Sequence, residues 1–236
     1  MKKLIILFFT IILLSCSKKE VKIPVLAEKG VQEIFNHSQV WFFFEIKNND
    51  TIADLNRKNT ISTTHWIYNI DKRLPLKSII PSIIQLQYKH ANSLHSEEGM
   101  HDYFSYSDSI SKKLSFLEFD TVIFKTDSLI SKLELKQHIE NYKNYNNIHI
   151  TFNTDYTWIN DSKIEADEFK NTLLEFIDFS SEGKQTMLHL NFNKNLTYQK
   201  YLFYKTMIVS LKAPHILIDT NEYVFDQKKV PDCGCE

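Results

Sequence analysis

Two cysteines separated by one residue, Cys233-Gly234-Cys235, stand close to the end of the chain. In an oxidising compartment such a pair can close a small disulfide loop. As thiolates the two sulfurs can act as a redox pair or grip a soft metal ion. A structural zinc site wants four ligands, and two thiols supply half of them. No CxxC run and no His-x-x-x-His run accompanies them, so a terminal disulfide is the first expectation. The second candidate is a group of histidines, His90, His95 and His101, with Glu97, Glu98 and Asp102 among and beside them. Imidazoles and carboxylates together take up zinc. Their spacing puts no two of the three on one helix face, however, and the segment is polar throughout. A solvated loop is the expectation there. His149, His189 and His215 fall on predicted strands and are expected to be half-buried sheet residues.

Nucleophilic serine chemistry needs a base and an oxyanion hole. There is no Gly-x-Ser-x-Gly run, and Ser128-Leu129-Ile130-Ser131-Lys132 lies in a segment that reads as an exposed helix. The acids Asp161 and Glu165, and Asp167 and Glu168, fall at a predicted helix start, where negative charge complements the helix dipole. The run Trp41-Phe42-Phe43-Phe44 is able to stack sugars or line an interface, and more often such a run is a buried strand. No catalytic residue, metal ligand or cofactor is assigned from these patterns. Charge adds a negative result. The 28 basic and 29 acidic side chains nearly cancel, and only four glycines occur. Neither a nucleic-acid surface nor a glycine-rich phosphate loop is indicated.

The third cysteine, Cys16, has a clearer context. Met1-Lys2-Lys3 is a short positive segment, and residues 4–14 are apolar except for Thr10. Eleven helical residues rise only about 16 Å, against a hydrocarbon core of about 30 Å, so the run fits a signal segment better than a membrane span. It ends in Leu13-Leu14-Ser15-Cys16, which resembles the lipobox of bacterial lipoproteins. The resemblance implies cleavage before Cys16, a thioether-linked diacylglycerol and a palmitate-type amide chain on that cysteine, and residence in the cell envelope. Ser17 is compatible with the outer membrane, facing the periplasm. Loss of Lys2 and Lys3 with the signal leaves 26 basic against 29 acidic side chains, a net charge of −3.

The elements that must position these residues read as an α+β fold, a two-layer sheet-and-helix sandwich in two tandem halves. The expected divisions are a signal over 1–15, a lipidated tether over 16–29, an N-terminal half over 30–126, a linking helix over 127–147, a second half over 148–227 and a cysteine-containing tail over 228–236. In the first half, alternation predicts strands over 40–46 and 65–71, helical spacing predicts a helix over 76–88 that Pro81 kinks or restarts, a second helix falls over 102–114, and a strand over 116–124. In the second half, strands are predicted over 148–152 and 156–160, a helix over 165–179, a strand over 187–192, a helix over 197–211 and closing strands over 215–219 and 222–225. A shift of 90 positions lays Asp71 on Asp161, Leu74 on Ile164, Ile79 on Phe169, Ile83 on Leu173 and Ile84 on Leu174, which raises the question of a divergent repeat.

Residues 148–225 carry a further resemblance. Ile148-His149-Ile150-Thr151-Phe152-Asn153-Thr154-Asp155, then Trp158-Ile159-Asn160-Asp161, and later residues 188–198, resemble the periplasmic domain of ExbD and TolR proteins. The resemblance covers about a third of the chain and rests on hydrophobic patterns. It implies that fold and association with envelope proteins or peptidoglycan. Those families place a membrane helix with an embedded aspartate where this chain has its signal, so their proton-linked role is not implied. The expectation from sequence is therefore a membrane-anchored, non-catalytic binding or scaffolding module, associated with an envelope energy-transduction complex or the cell wall. The alternatives are an enzyme or a redox or metal protein using Cys233/Cys235 or His90/His95/His101, and a small-ligand carrier.

Overall fold

The computed structural model describes residues 19–93, 99–126, 130–211 and 213–230. Cys16, His95, Cys233 and Cys235 lie outside the described residues. A two-residue strand β1 (Val25–Leu26) precedes a hairpin of β2 (His37–Lys47) and β3 (Asp50–Asn56). Asn48 and Asn49 turn it with φ of 52° and 64°, left-handed values that asparagine tolerates well and that tight hairpins require. β4 (His65–Ile70), helix α1 (Leu76–Ala91), β5 (Asp102–Asp108) and β6 (Leu114–Glu118) complete the first sheet. β2, β4 and β5 run parallel side by side, β3 closes one edge antiparallel, and both β1 and β6 pair with β5.

Three expectations for this half are corrected. Residues 102–114 are not a helix but a strand, a turn and the start of another strand. Aromatic, serine and aspartate residues favour strands and turns over helix interiors, and Asp108 caps the turn by accepting from the Ile110 and Ser111 amides and the Ser111 hydroxyl. Period-two alternation is masked in β5 because both of its faces are covered. The segment read as a tether is partly folded in: the Ser107 and Ser109 amides donate to Pro24 O and Leu26 O, so β1 satisfies backbone groups that β5 would otherwise leave open. The restart at Pro81 is not found: helix α1 runs on through it.

The second sheet begins before the first half ends. The strand expected over 116–124 is divided between the sheets: β6 stays in the first, and β7 (Ile123–Lys125) joins the edge of the second. The linking helix is two short pieces, α2 (Ser131–Gln137) and α3 (Ile139–Tyr142), broken at His138. Then follow β8 (Asn146–Phe152), β9 (Thr157–Ile159), β10 (Ser162–Ile164), α4 (Phe169–Ser180), β11 (Thr186–Asn193), α5 (Tyr198–Ser210) and β12 (Ile216–Phe225). The sheet order is β10-β9-β8-β11-β12-β7, with β8, β11, β12 and β7 parallel. The helix over residues 165–179 starts late, at Phe169, so Asp161 sits in the β9–β10 turn, where it pairs with Lys132 at 2.7 Å.

The chain is thus an α+β protein of two mixed six-stranded sheets, with five helices among the described residues. α4 and α5 cover one face of the second sheet, where Phe152 meets both Phe169 and Tyr204. α5 also reaches the first sheet: Phe104 of β5 lies 5.7 Å from Tyr198 and 6.1 Å from Tyr201 between ring centres. A helix covered on two sides has no single apolar stripe, and α5 buries Tyr198, Tyr201, Leu202, Tyr204, Lys205, Thr206, Met207 and Ile208. One continuous core joins the two sheets.

The halves meet through a local two-fold. The Leu76 amide donates to Leu196 O and the Tyr198 amide to Leu74 O; the Lys77 amide donates to Lys194 O and the Gln199 amide to Lys72 O. Corresponding residues are 122 positions apart (72 to 194, 74 to 196, 76 to 198, 77 to 199). The same offset lays Asp71 on Asn193, and each uses its side-chain oxygen to accept from the amide two residues on, an Asx turn that ends the strand and aims the helix. β4–α1–β5 therefore corresponds to β11–α5–β12. The 90-position shift is overturned: it matched α1 to α4, and α4 has no counterpart, because residues 57–64 between β3 and β4 hold no helix.

Candidate functional site

The histidine group of the first half does not form one loop. α1 extends to Ala91 and carries His90 onto its buried face, while β5 starts at Asp102 and places that carboxyl beneath it. His90 Nδ1 lies 2.8 Å from Asp102 Oδ1, Nε2 lies 3.0 Å from Thr64 O, and the ring stacks on Trp66 at 4.2 Å. A carbonyl only accepts, so Nε2 donates to Thr64 O, and Nδ1 is left to hydrogen-bond with the Asp102 carboxyl. Burial raises the Asp102 carboxyl above its ordinary range and outweighs the hydrogen bond and charge of His90, which act the other way.

His101 precedes Asp102 and so points away from it. Its Nδ1 lies 3.1 Å from Asp120 Oδ2 and 3.7 Å from Glu118 Oε1. Its backbone amide donates to His65 Nδ1 at 3.0 Å, and the two imidazoles stack at 5.7 Å. The hydrogen bond to Asp120 holds His101 above the usual histidine range, whereas burial, followed by the neighbouring His101, lowers His65. His101, Glu118 and Asp120 offer ligand atoms all within 4.8 Å of one another. Asp120 and Asp102 both line an open-mouthed cavity of about 770 Å³, together with Gln87, His90, Met100 and Phe124. Sequence reading missed Glu118, Asp120 and His65. Glu118-Phe119-Asp120 alternates about a buried phenylalanine, which was the available signal, but nothing local tied those acids to His101.

The second half carries its own polar cluster, on the face of the sheet opposite α4 and α5. His189 is fully buried and its Nδ1 lies 2.8 Å from Asp219 Oδ2. Its Nε2 lies 3.0 Å from Asn147 Oδ1, whose amide nitrogen is already given to Tyr142 O and Tyr145 O. Both ring nitrogens of His189 therefore face acceptors. His149 stacks on His189 at 5.1 Å and its Nδ1 meets Ser131 Oγ at 2.7 Å. Burial, then the neighbouring His189, pushes His149 down to about 4. His215 departs from expectation: it is exposed in the turn before β12.

A serine hydroxyl against a neutral imidazole is the beginning of nucleophilic chemistry, but this one has another task. Ser131 is fully buried, its Oγ accepts from Asn191 Nδ2 at 2.9 Å, and its amide donates to Asn191 Oδ1 at 2.6 Å. These bonds fasten the first turn of α2 to the sheet, so the helix expected to be exposed has a buried face. Among the aromatics, Phe42 faces the core while Trp41 and Phe43 stack on the outer surface. One further buried charge pair lies in the core: Lys205 of α5 with Glu222 of β12, whose second oxygen accepts from Tyr201 Oη at 2.8 Å.

Among the described residues, the fold and these sites define an α+β protein with two buried histidine–aspartate pairs and one exposed His–Glu–Asp cluster. No family model, curated protein or solved structure matches the chain. Among the described residues no helix is long and apolar enough to cross a membrane.

Proposed function

We propose that this chain is a lipid-anchored envelope protein whose folded part is a non-catalytic binding or scaffolding module held against a membrane. The observation that carries the reading is the shortness of the link. The Lys22 amide donates to the Asp71 carboxylate and Lys22 O accepts from the Lys72 amide, so the chain is fixed to the fold only a few residues after Cys16. At no more than about 3.5 Å per extended residue, such a link reaches at most roughly 20 Å. A module on so short a leash meets partners at the bilayer surface. Apart from the added strand β10, the succession β8, β9, β10, α4, β11, α5, β12 keeps the element order on which the resemblance of this half to ExbD and TolR periplasmic domains rests, and that resemblance suggests an envelope-protein or peptidoglycan partner. Fold likeness carries no activity with it. The burial of Ser131, His90 and His189 favours structural work for the groups that chemistry would need. Lipid on Cys16 and outer-membrane residence facing the periplasm belong to the same proposal.

Two measurements test it. A radiolabelled lipid precursor should mark the wild-type protein and leave Cys16→Ser unmarked; equal labelling removes the anchor. Affinity purification from detergent-solubilised envelope, set beside sedimentation of the purified protein with peptidoglycan, should recover a protein partner or the wall polymer. Recovery of neither overturns the binding role.

A further inference from the structure

We infer that His101, Glu118 and Asp120 form a site for a single divalent transition-metal ion of the zinc class, open on one side toward the neighbouring cavity. The inference goes beyond the proposed binding role and does not depend on the anchor. Ions of this class bind nitrogen and carboxylate oxygen at about 2.0–2.2 Å. Ligands at tetrahedral or octahedral angles around such an ion stand roughly 3.0–3.5 Å apart. The observed separations, 3.1 Å from His101 Nδ1 to Asp120 and 3.7 Å to Glu118, need only small side-chain movements to meet that spacing.

The backbone under all three donors is already fixed. His101 gives its amide hydrogen to His65 Nδ1 and receives the Trp66 amide on its carbonyl. Phe119, between the two acids, is buried and stacks on Phe104 at 3.6 Å, and its amide donates to Asp102 O. The acids on either side are thereby turned outward together. His65 stacked on His101, and Tyr103 edge-on to both rings, restrict the imidazole plane, as outer partners do at metal centres. Two carboxylates and one neutral imidazole balance a doubly charged ion. One nitrogen with two oxygens suits zinc, cobalt, nickel or manganese better than calcium, which takes oxygen alone, or copper(I), which prefers sulfur. With the three donors found among the described residues, a coordination position is left for water or a ligand donor. Asp120 belongs to both the cluster and the cavity wall, so a donor group held in that cavity would stand beside the ion.

The test is titration calorimetry of the full-length protein in detergent, without a histidine tag, using Zn²⁺, with Co²⁺ absorption as a second readout. Wild type should take up one ion and show ligand-field bands with cobalt. His101→Ala and Asp120→Asn should weaken binding by about 100-fold or more, since loss of outer partners alone costs 10–100-fold. Both positions are partly exposed, and unchanged melting curves would establish that these variants fold. His95→Ala and the double variant Cys233→Ser/Cys235→Ser should bind as wild type does. Absence of binding to wild type, equal binding by His101→Ala, or loss of binding in the cysteine variant overturns the assignment.

Discussion

The β4–α1–β5 unit and the β11–α5–β12 unit follow the same path and grip each other by reciprocal backbone hydrogen bonds, yet they fill equivalent interior positions with different chemistry. By the 122-residue offset, Ile83 of α1 corresponds to Lys205 of α5. By strand register, Phe104 opposite Tyr68 corresponds to Glu222 opposite Leu190. One unit thus closes its core with an isoleucine and a phenylalanine, and the other with a buried ion pair. Each half also holds a buried histidine–aspartate pair, and the two carboxyls are perturbed in opposite directions. Burial raises Asp102, for which His90 is the one side-chain partner among the described residues. Burial also acts to raise Asp219, but hydrogen bonds from His189 and from the amide and side chain of Asn221 outweigh it and bring the carboxyl below its ordinary range. The difference teaches that backbone geometry repeats while the count of donors around a buried charge decides its behaviour.

The largest expected effect comes from splitting the ion pair. Glu222→Gln leaves the Lys205 ammonium buried without its counter-charge and should cost about 3–5 kcal/mol in urea unfolding. Lys205→Met with Glu222→Leu makes the site resemble its counterpart and should bring stability back to within about 1 kcal/mol of wild type, or above it. A cost below about 1 kcal/mol for Glu222→Gln would mean the pair is not buried in solution, and the contrast between the halves would fail.

Next comes Asp219→Asn, expected to cost about 3 kcal/mol at neutral pH, because the buried site loses the carboxylate that meets His189 and accepts from Asn221. The pH dependence has a definite sign. A carboxyl depressed in the folded state stabilises above the unfolded value of about 3.9, and that contribution is lost as pH falls through the folded value. Wild type should therefore lose stability on acidification more steeply than Asp219→Asn. Parallel acid limbs would remove Asp219 from the account.

Asp102→Asn should be milder, about 1 kcal/mol or less at pH 7, because it removes a hydrogen-bonded partner and the burial of a charge together. A raised carboxyl contributes a cost that grows as pH rises above the ordinary range and fades on acidification. Stability curves of this variant and of Asp219→Asn, each set against wild type, should diverge in opposite directions below about pH 5. The smallest effect is at the two-fold itself. Thr197 caps α5 by accepting from the Lys200 amide, whereas Pro75 offers α1 no side-chain cap. Thr197→Ala should cost about 0.5–1 kcal/mol, read as a small fall in melting temperature.

Legibility from sequence followed locality. The strands at 148–152 and 187–192, and the helix at 197–211, were readable because alternation and helical spacing are properties of a few neighbouring residues. Residues 102–108 were misread because a strand covered on both faces shows no alternation. The repeat was found at the wrong offset because apolar helices align with one another easily, whereas the true correspondence rests on backbone hydrogen bonds that carry no side-chain signature. His90 is expected in a solvated loop because nothing near it shows that α1 continues past Tyr88.

The sequence by itself determined the α+β class, most of the elements and the near-neutral charge. It did so because periodicity, length and composition are local quantities. Only the tertiary structure decided which histidine meets which acid. His189 and Asp219 are 30 residues apart, and His101 and Asp120 are 19 apart. Parallel crossovers and sheet order close those distances, and both arise from the burial of a shared core rather than from any short stretch of chain. The same physics moved β7 into the second sheet and set α5 between the two, which is why the chemistry of each half could not be assigned before the halves were seen together.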